Sequence, residues 1–411
     1  MKVLWFSNCA FTNSEINVSG SWLYTMAMAL KDSDVQLYNI TQGNVSSIKE
    51  EMVGSIKQWI LPTYKLSNGL PEKNNINKIV DIYNSISPDI THIWGMESYW
   101  GLLSARGYIA GRILLEIQGI RESCSEVFYG GLSFKEQIRS FGIKELIRPS
   151  ISLWGLQRRH KKWATYEHEM LSHHNYIATQ SDWVRRRISF NTHSSAKIYE
   201  SLICVRSEFI HSRKWTPIDD DVVFTMTTSA SSLRAIHNVV KAVALLKRDR
   251  PNIKLVIAGD FDQGKPLWRK SGYVKFIEHI IQDNGMQDNV VFVGRLKANE
   301  IVEQMLNSSV FVQSSFVESY SLALSEALCV GIPCVVSYAG AMPEFDRIQE
   351  FCKYYSPQDY IVCAAEIREW LDSKGYNTSL YLLKEKSVKS NNLSELRDRQ
   401  LMIYNDILRH E

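Results

Sequence analysis

The chain has 411 residues, more than one hydrophobic core usually supports, so two domains are expected. Apolar residues at 45% and charged residues at 22% exclude a largely disordered chain, and a net charge of +3 gives no support to nucleic acid as a partner. Seven cysteines without CxxC spacing read as reduced, mostly buried thiols. The start, "MKVLWFSNCAF", is too short an apolar run for a signal peptide, and no run nears ~20 apolar residues. The chain is therefore expected in the cytoplasm, with any membrane contact peripheral at the inner face.

In chain order, "KVLWF" predicts a buried strand, followed by a polar loop to Gly20, a helix in "SWLYTMAMALK" and a second strand in "VQLYNI". "KQWIL", "ITHIWG" and "ILLEIQG" read as further short strands, and "NNINKIVDIYNSI" has apolar residues at helical spacing. Between Phe134 and Phe190, Lys and Arg outnumber Asp and Glu, with Trp154, Trp163 and Trp183 interleaved. Such a basic, aromatic-bearing face suits an anionic membrane surface, or else a solvated helix pair with core tryptophans. "KWTPIDDD" reads as a linker. The pattern then repeats: "VVFTM", "IKLVIAGD", "NVVFVGRL", "VFVQS" and "PCVVSYAG" as strands, with "HNVVKAVALLKRD", "NEIVEQML" and "SLALSEAL" as helices. This alternation predicts an α/β protein with two parallel sheets covered by helices. The expected domains are residues 1–215, 222–375 and a helical extension over 376–411.

One stretch carries chemistry. In "ESYSLALSE", seven residues separate Glu318 from Glu326. If "VFVQS" is a strand, Glu318 lies in the strand-to-helix loop at the carboxyl end of a parallel strand, where open α/β sheets bind ligands. The helix N-terminus at Ser321 and Leu322 can hold phosphate oxygens. One carboxylate before that N-terminus and one inside the helix suit hydroxyls on either side of a diphosphate, as in a nucleotide sugar. Taken singly, each glutamate reads as structural, Glu318 as a helix-start acid favoured by the dipole and Glu326 as a solvated helix residue.

The whole stretch, with Ala327, Gly331, Pro333, Gly340 and Glu344, resembles the signature of retaining glycosyltransferases of family 4. The resemblance implies the GT-B fold, two facing Rossmann-like domains with the donor in a cleft between them. It implies that Glu318 contacts hydroxyls of the transferred sugar and Glu326 those of the ribose. "SLRAIHNVVKA" matches the family's KG segment, so Arg234 would take the place of the lysine that neutralises the pyrophosphate; Arg keeps the charge but offers a planar fork. Gly20 in "VSGSW" would stand in the glycine loop near the diphosphate, Gln118 in "EIQG" where the family has a histidine near the sugar, and Leu296 in "GRL" where backbone groups read the base. Ser19, Gln118 and the hydroxyls of "TMTTSASS" in place of an upstream arginine depart from the family pattern.

The implied reaction is transfer from a nucleotide-diphosphate sugar to a hydroxyl of a glycan or polyprenyl-linked acceptor, as in bacterial surface polysaccharide synthesis. Configuration would be retained by front-side attack, the leaving phosphate taking the proton, with fixed cations in place of a metal. No cofactor is implied. Asp219 to Asp221 precede a strand rather than end one, so they read as linker and not as a metal motif. The adjacent His173 and His174 point apart on any regular element, and no GxSxG elbow occurs. A nucleotide-sugar epimerase of the same fold and a degenerate nucleotide-sugar-binding protein are the alternatives.

Overall fold

A computed structural model describes residues 1–12, 21–346, 351–374 and 379–410. They form two compact units, and packing divides the chain differently from its linear order. The first unit comprises Met1–Glu122, Lys161–Cys204 and Asn391–Glu411; the second comprises Ser123–His160 and Val205–Ser390.

The first unit is built on strands β1 (Lys2–Phe6), β2 (Gln36–Gly43), β3 (Lys49–Val53), β4 (Ile56–Pro62), β5 (Ile90–Trp94), β6 (Ile113–Ile117), β7 (Tyr176–Thr179) and β8 (Lys197–Glu200). They lie in the order β3-β4-β2-β1-β5-β6-β7-β8. All pairings are parallel, as expected, except β3 with β4, an antiparallel pair at one edge. The two strands are joined by a turn at Gly54, whose φ of +61° favours glycine. β5 and β6 are buried at every residue, as strands covered on both faces must be. The expected strands and helices of this half fall where the sequence places them, whereas β3, β7 and β8 are additional. β7 and β8 have four residues each, too few to show a period.

The second unit holds β9 (Val222–Ser229), β10 (Lys254–Asp260), β11 (Val290–Gly294), β12 (Val310–Gln313), β13 (Cys334–Ser337) and β14 (Cys352–Tyr355). Their order is β11-β10-β9-β12-β13-β14, all parallel. The chain runs outward from β9 to β11 and then returns to the other side of β9 at β12. The switch point between β9 and β12 is where such sheets bind ligands.

Two segments leave their sequence neighbours. Ser123–His160 joins the second unit: the Ser232 hydroxyl donates to the Phe128 carbonyl, and Lys241 pairs with Glu136 at 2.6 Å. A Cβ on Gly130 (φ +60°) would lie 2.1 Å from the Ser232 carbonyl oxygen, so this approach requires glycine. The extension expected over 376–411 is likewise divided. The helix Ser379–Ser390 belongs to the second unit, and Leu393–Arg409 to the first, where Leu396, Ile403, Tyr404 and Ile407 enter the core beside β1. Among the described residues no helix is long and apolar enough to cross a membrane, and none of the seven cysteines forms a disulfide.

Candidate active site

Arg234 and Glu318 meet at the switch point of the second unit. After β9 the chain makes a single 3-10 turn, Ser232–Arg234, before the helix Ile236–Leu246. Ala235, between them, has φ +51°, where an alanine costs about 1 kcal/mol. This turn delivers Arg234 to the loop that follows β12. The guanidinium pairs with the Glu318 carboxylate and donates to the Ser315 hydroxyl at 3.2 Å. Ser315 in turn donates to Glu318 at 2.8 Å, and the Gln313 amide reaches the same carboxylate oxygen at 3.2 Å. The two loops are tied through their backbones as well: Phe316 N–H donates to the Leu233 carbonyl at 2.8 Å, and the Ser314 hydroxyl to the Arg234 carbonyl at 2.6 Å.

From the other side, the loop after β13 lies directly on Glu318. Ala341 N–H donates to the Glu318 carbonyl at 2.8 Å. A Cβ on Gly340 (φ +57°) would stand 2.1 Å from that carbonyl oxygen. Here the glycine of the sequence signature is required both by backbone conformation and by space. Surrounding protein desolvates Arg234 and lowers its pKa, yet 38% of its side chain stays accessible and a guanidinium keeps its proton.

The helix Leu322–Val330 starts immediately beyond Glu318. Ser321 caps it, its hydroxyl accepting from Leu324 N–H at 3.3 Å, and Gly331 ends it with φ +84°. The first backbone N–H groups of such a helix have no intrahelical partner and carry the positive end of the dipole. About one turn in, Glu326 is only 4% exposed. Burial raises its pKa, and Arg206 opposes that shift by donating from Nε at 3.1 Å and Nη2 at 2.8 Å, both to Oε1. Leu296 follows β11 at the same, carboxyl, end of the sheet, after Gly294 with φ +73°. Arg234, Glu318, Ser321, Leu322 and Glu326 therefore cluster in one unit, with Leu296 on the same sheet edge.

The first unit contributes a separate polar group at the carboxyl ends of β5 and β6. Glu97 rests its carboxylate on Gly95 and Gly119, where an added Cβ would approach it to 2.2 and 2.3 Å. Gln118 lies beside it with its amide nitrogen buried and without a hydrogen-bond partner. Arg121 donates to the Glu97 carbonyl at 3.0 Å and stacks 5.5 Å from Trp163. Glu167 is almost wholly buried and accepts from the Arg121 and Glu122 backbone N–H groups at 2.7 and 3.1 Å. Burial pushes its pKa up to about 7, with those N–H groups opposing the shift and the Glu97 charge adding to it. Gly20 lies outside the described residues.

Several residues lie away from both groups. Asp219 to Asp221 precede β9, at the opposite end of the sheet from Glu318, and Asp221 is held by Arg250 at 2.7 Å. His173 is exposed on its helix, whereas His174 is buried, bonded to the Met170 carbonyl and to Ser104, and burial lowers its pKa to about 4. Trp163 and Trp183 pack on the first unit's core. Trp154 donates to Gln137 and packs on Phe141. Sequence reading missed Arg206, Gln313 and Ser315, and it missed Glu97, Arg121 and Glu167. Gln313 and Ser315 were visible beside the glutamate motif, but a lone Arg206 before a four-residue helix carries no pattern.

Two sheets of this topology define the class: the α/β fold of GT-B glycosyltransferases. Over its length the chain is similar to sucrose-phosphate synthase from Thermosynechococcus elongatus, with TM-score 0.75, 14% identity and 100% of each chain covered. It is also similar to Anabaena Alr3699/HepE in complex with UDP and glucose, with TM-score 0.68, 13% identity and 99% and 100% of the two chains covered. More particularly, residues 208–381 match the sequence model of the family described as "Glycosyl transferases group 1". A relative named "Protein CapJ" from Staphylococcus aureus is 24% identical over 177 residues, 42% of this chain and 42% of that one. The matched stretches span less than half the length of the curated relatives.

Proposed function

We propose that this chain is a retaining, metal-independent glycosyltransferase that moves a sugar from a nucleoside-diphosphate donor to a hydroxyl of a glycan or polyprenyl-linked acceptor. The observation that carries the reading is the meeting of Arg234 and Glu318 at the switch point, directly before a capped helix N-terminus. HepE, of the same fold, was solved with UDP and glucose, so a UDP-sugar is the first donor to try. Breaking the bond from anomeric carbon to phosphate builds negative charge on the diphosphate. The guanidinium has five N–H donors, more than its present partners use, and together with the helix N–H groups it would stabilise that charge. The acceptor hydroxyl would attack from the leaving-group side, its proton passing to the departing phosphate oxygen. Glu318 would orient the sugar hydroxyls. Glu326, with Arg206 fixed on Oε1, would accept from the ribose hydroxyls through Oε2. Seven thiols outside any disulfide suit a cytoplasmic setting, and a polysaccharide role at the inner membrane face follows from the lipid-linked acceptor.

The test is thermal stabilisation by a panel of nucleoside diphosphates and their sugars, followed by donor turnover with and without a chelator. One diphosphate should raise the melting temperature, and Glu326→Ala should weaken that shift. Glu318→Ala should keep diphosphate binding but lose turnover by about a hundredfold or more. Turnover lost to chelator and restored by Mg2+ or Mn2+ would end the metal-independent reading. Epimerised donor without transfer would end the transferase reading.

A further inference from the structure

Of the eighteen large apolar side chains exposed among the described residues, five fall within the short segment from Phe134 to Ile147. Leu146 and Ile147 are 70% and 75% exposed. Spread evenly along the chain, that segment would hold about one, and exposed apolar patches of this kind mark interaction surfaces. The segment consists of two short helices, Phe134–Arg139 and Ile143–Ile147, and the second packs beside the 3-10 turn Leu267–Arg269, adding Trp268 at 54% exposure.

Charge and rigidity both have visible causes. The two acids of the segment are turned inward. Glu136 closes a capping box with Ser133 and pairs with Lys241, while Glu145 accepts from Gly142 N–H and Gly272 N–H, both at 2.9 Å. The basic side chains Lys135 and Arg148 remain exposed, while the exposed Arg139 pairs with Asp283 at 2.8 Å, so the cationic rim of the apolar patch rests on Lys135 and Arg148. The segment is also clamped to the second unit, since a Cβ on Gly272 would lie 1.8 Å from the Ser140 carbonyl oxygen.

We propose that this face docks on an anionic lipid bilayer, with Leu146 and Ile147 entering the acyl boundary and Lys135 and Arg148 meeting lipid phosphates. Aliphatic side chains, a tryptophan and cations around one rigid edge match the layers of such an interface. A two-fold contact with a second copy would instead set the cationic rim against itself. The inference rests on the transferase reading for its purpose, because a polyprenyl-linked acceptor lies in a membrane; the surface chemistry is independent of it. It narrows the expected membrane-facing stretch, Phe134 to Phe190, to these two helices, and leaves out Trp163 and Trp183, which pack on the first unit's core.

The experiment is flotation of the full chain with vesicles of phosphatidylcholine alone or mixed with phosphatidylglycerol. The protein should float with the anionic vesicles only, and less so at high salt. Leu146→Glu combined with Ile147→Glu should abolish flotation, and Arg148→Ala should weaken it about fivefold. The substituted side chains are exposed, so melting temperature and any nucleoside-diphosphate shift should be unchanged. The proposal is overturned by failure to float, by unaltered flotation of the double variant, or by light scattering that reveals a wild-type dimer dissociated by the same substitutions. Flotation without any nucleotide shift would leave this surface standing while ending the transferase reading, and a nucleotide shift without flotation would do the reverse.

Discussion

Glu326 and Glu167 are both buried carboxylates, and their partners separate their roles. Glu326 has a guanidinium on one oxygen, which keeps a charged form available inside the helix despite desolvation. Glu167 has backbone N–H groups and a neighbouring acid, and its pKa rises from 4.5 to about 7. A carboxyl that binds its proton more tightly when folded gives no differential stability below the unfolded value. Stability is then lost as pH rises between 4.5 and about 7. The slope is at most about 1.4 kcal/mol per pH unit for one proton. Denaturant unfolding across that window should show such a fall, and Glu167→Gln should flatten it. An unchanged slope in the variant would assign the titration elsewhere.

At the scale of elements, the helix Leu393–Arg409 gives the clearest case of a local sequence pattern with a distant destination. Its apolar residues show that it has a buried face, and the fold takes that face to β1, almost the whole chain away. There Trp5 Nε1 donates to the Tyr404 hydroxyl at 3.0 Å, and His92 Nδ1 lies 2.8 Å from the same oxygen. Burial lowers the His92 pKa, opposed by Glu116, whose carboxylate faces Nε2 at 3.4 Å; with the ring proton on that nitrogen, Nδ1 accepts a hydrogen bond from the Tyr404 hydroxyl. Tyr404→Phe leaves a buried indole N–H and a ring nitrogen without partners. The expected cost is about 1 to 3 kcal/mol for each orphaned group, read from the denaturation midpoint. A loss within error of zero would mean that water enters and replaces the hydroxyl.

At the scale of the molecule, each unit has its own sheet and its own core, and neither is continuous in sequence. Calorimetry should therefore show two transitions, or a calorimetric enthalpy exceeding the van't Hoff value. A bound nucleoside diphosphate should raise the transition of the second unit, which holds Arg234, Glu318 and Glu326. A single two-state transition would show that the units unfold as one.

The sequence by itself determined the strands that are long or fully apolar, the helices with a clear 3.6-residue period, and the glutamate pair with its glycines. These depend on local properties: side-chain periodicity, φ at Gly340, and the loop between a strand and a helix. It left β3, β7, β8 and β14 unread because short or half-exposed strands show no period. Only the tertiary structure decided that Arg206 holds Glu326, that Glu97 lies on Gly95 and Gly119, and that Ser123–His160 leaves its neighbours for the second unit. Such pairings join residues far apart in the chain and depend on where a backbone returns, which no local pattern of side chains encodes. The acids at Glu136 and Glu145 are the sharpest instance: in sequence they offset the neighbouring Lys and Arg, and in the fold they turn inward and leave a basic surface.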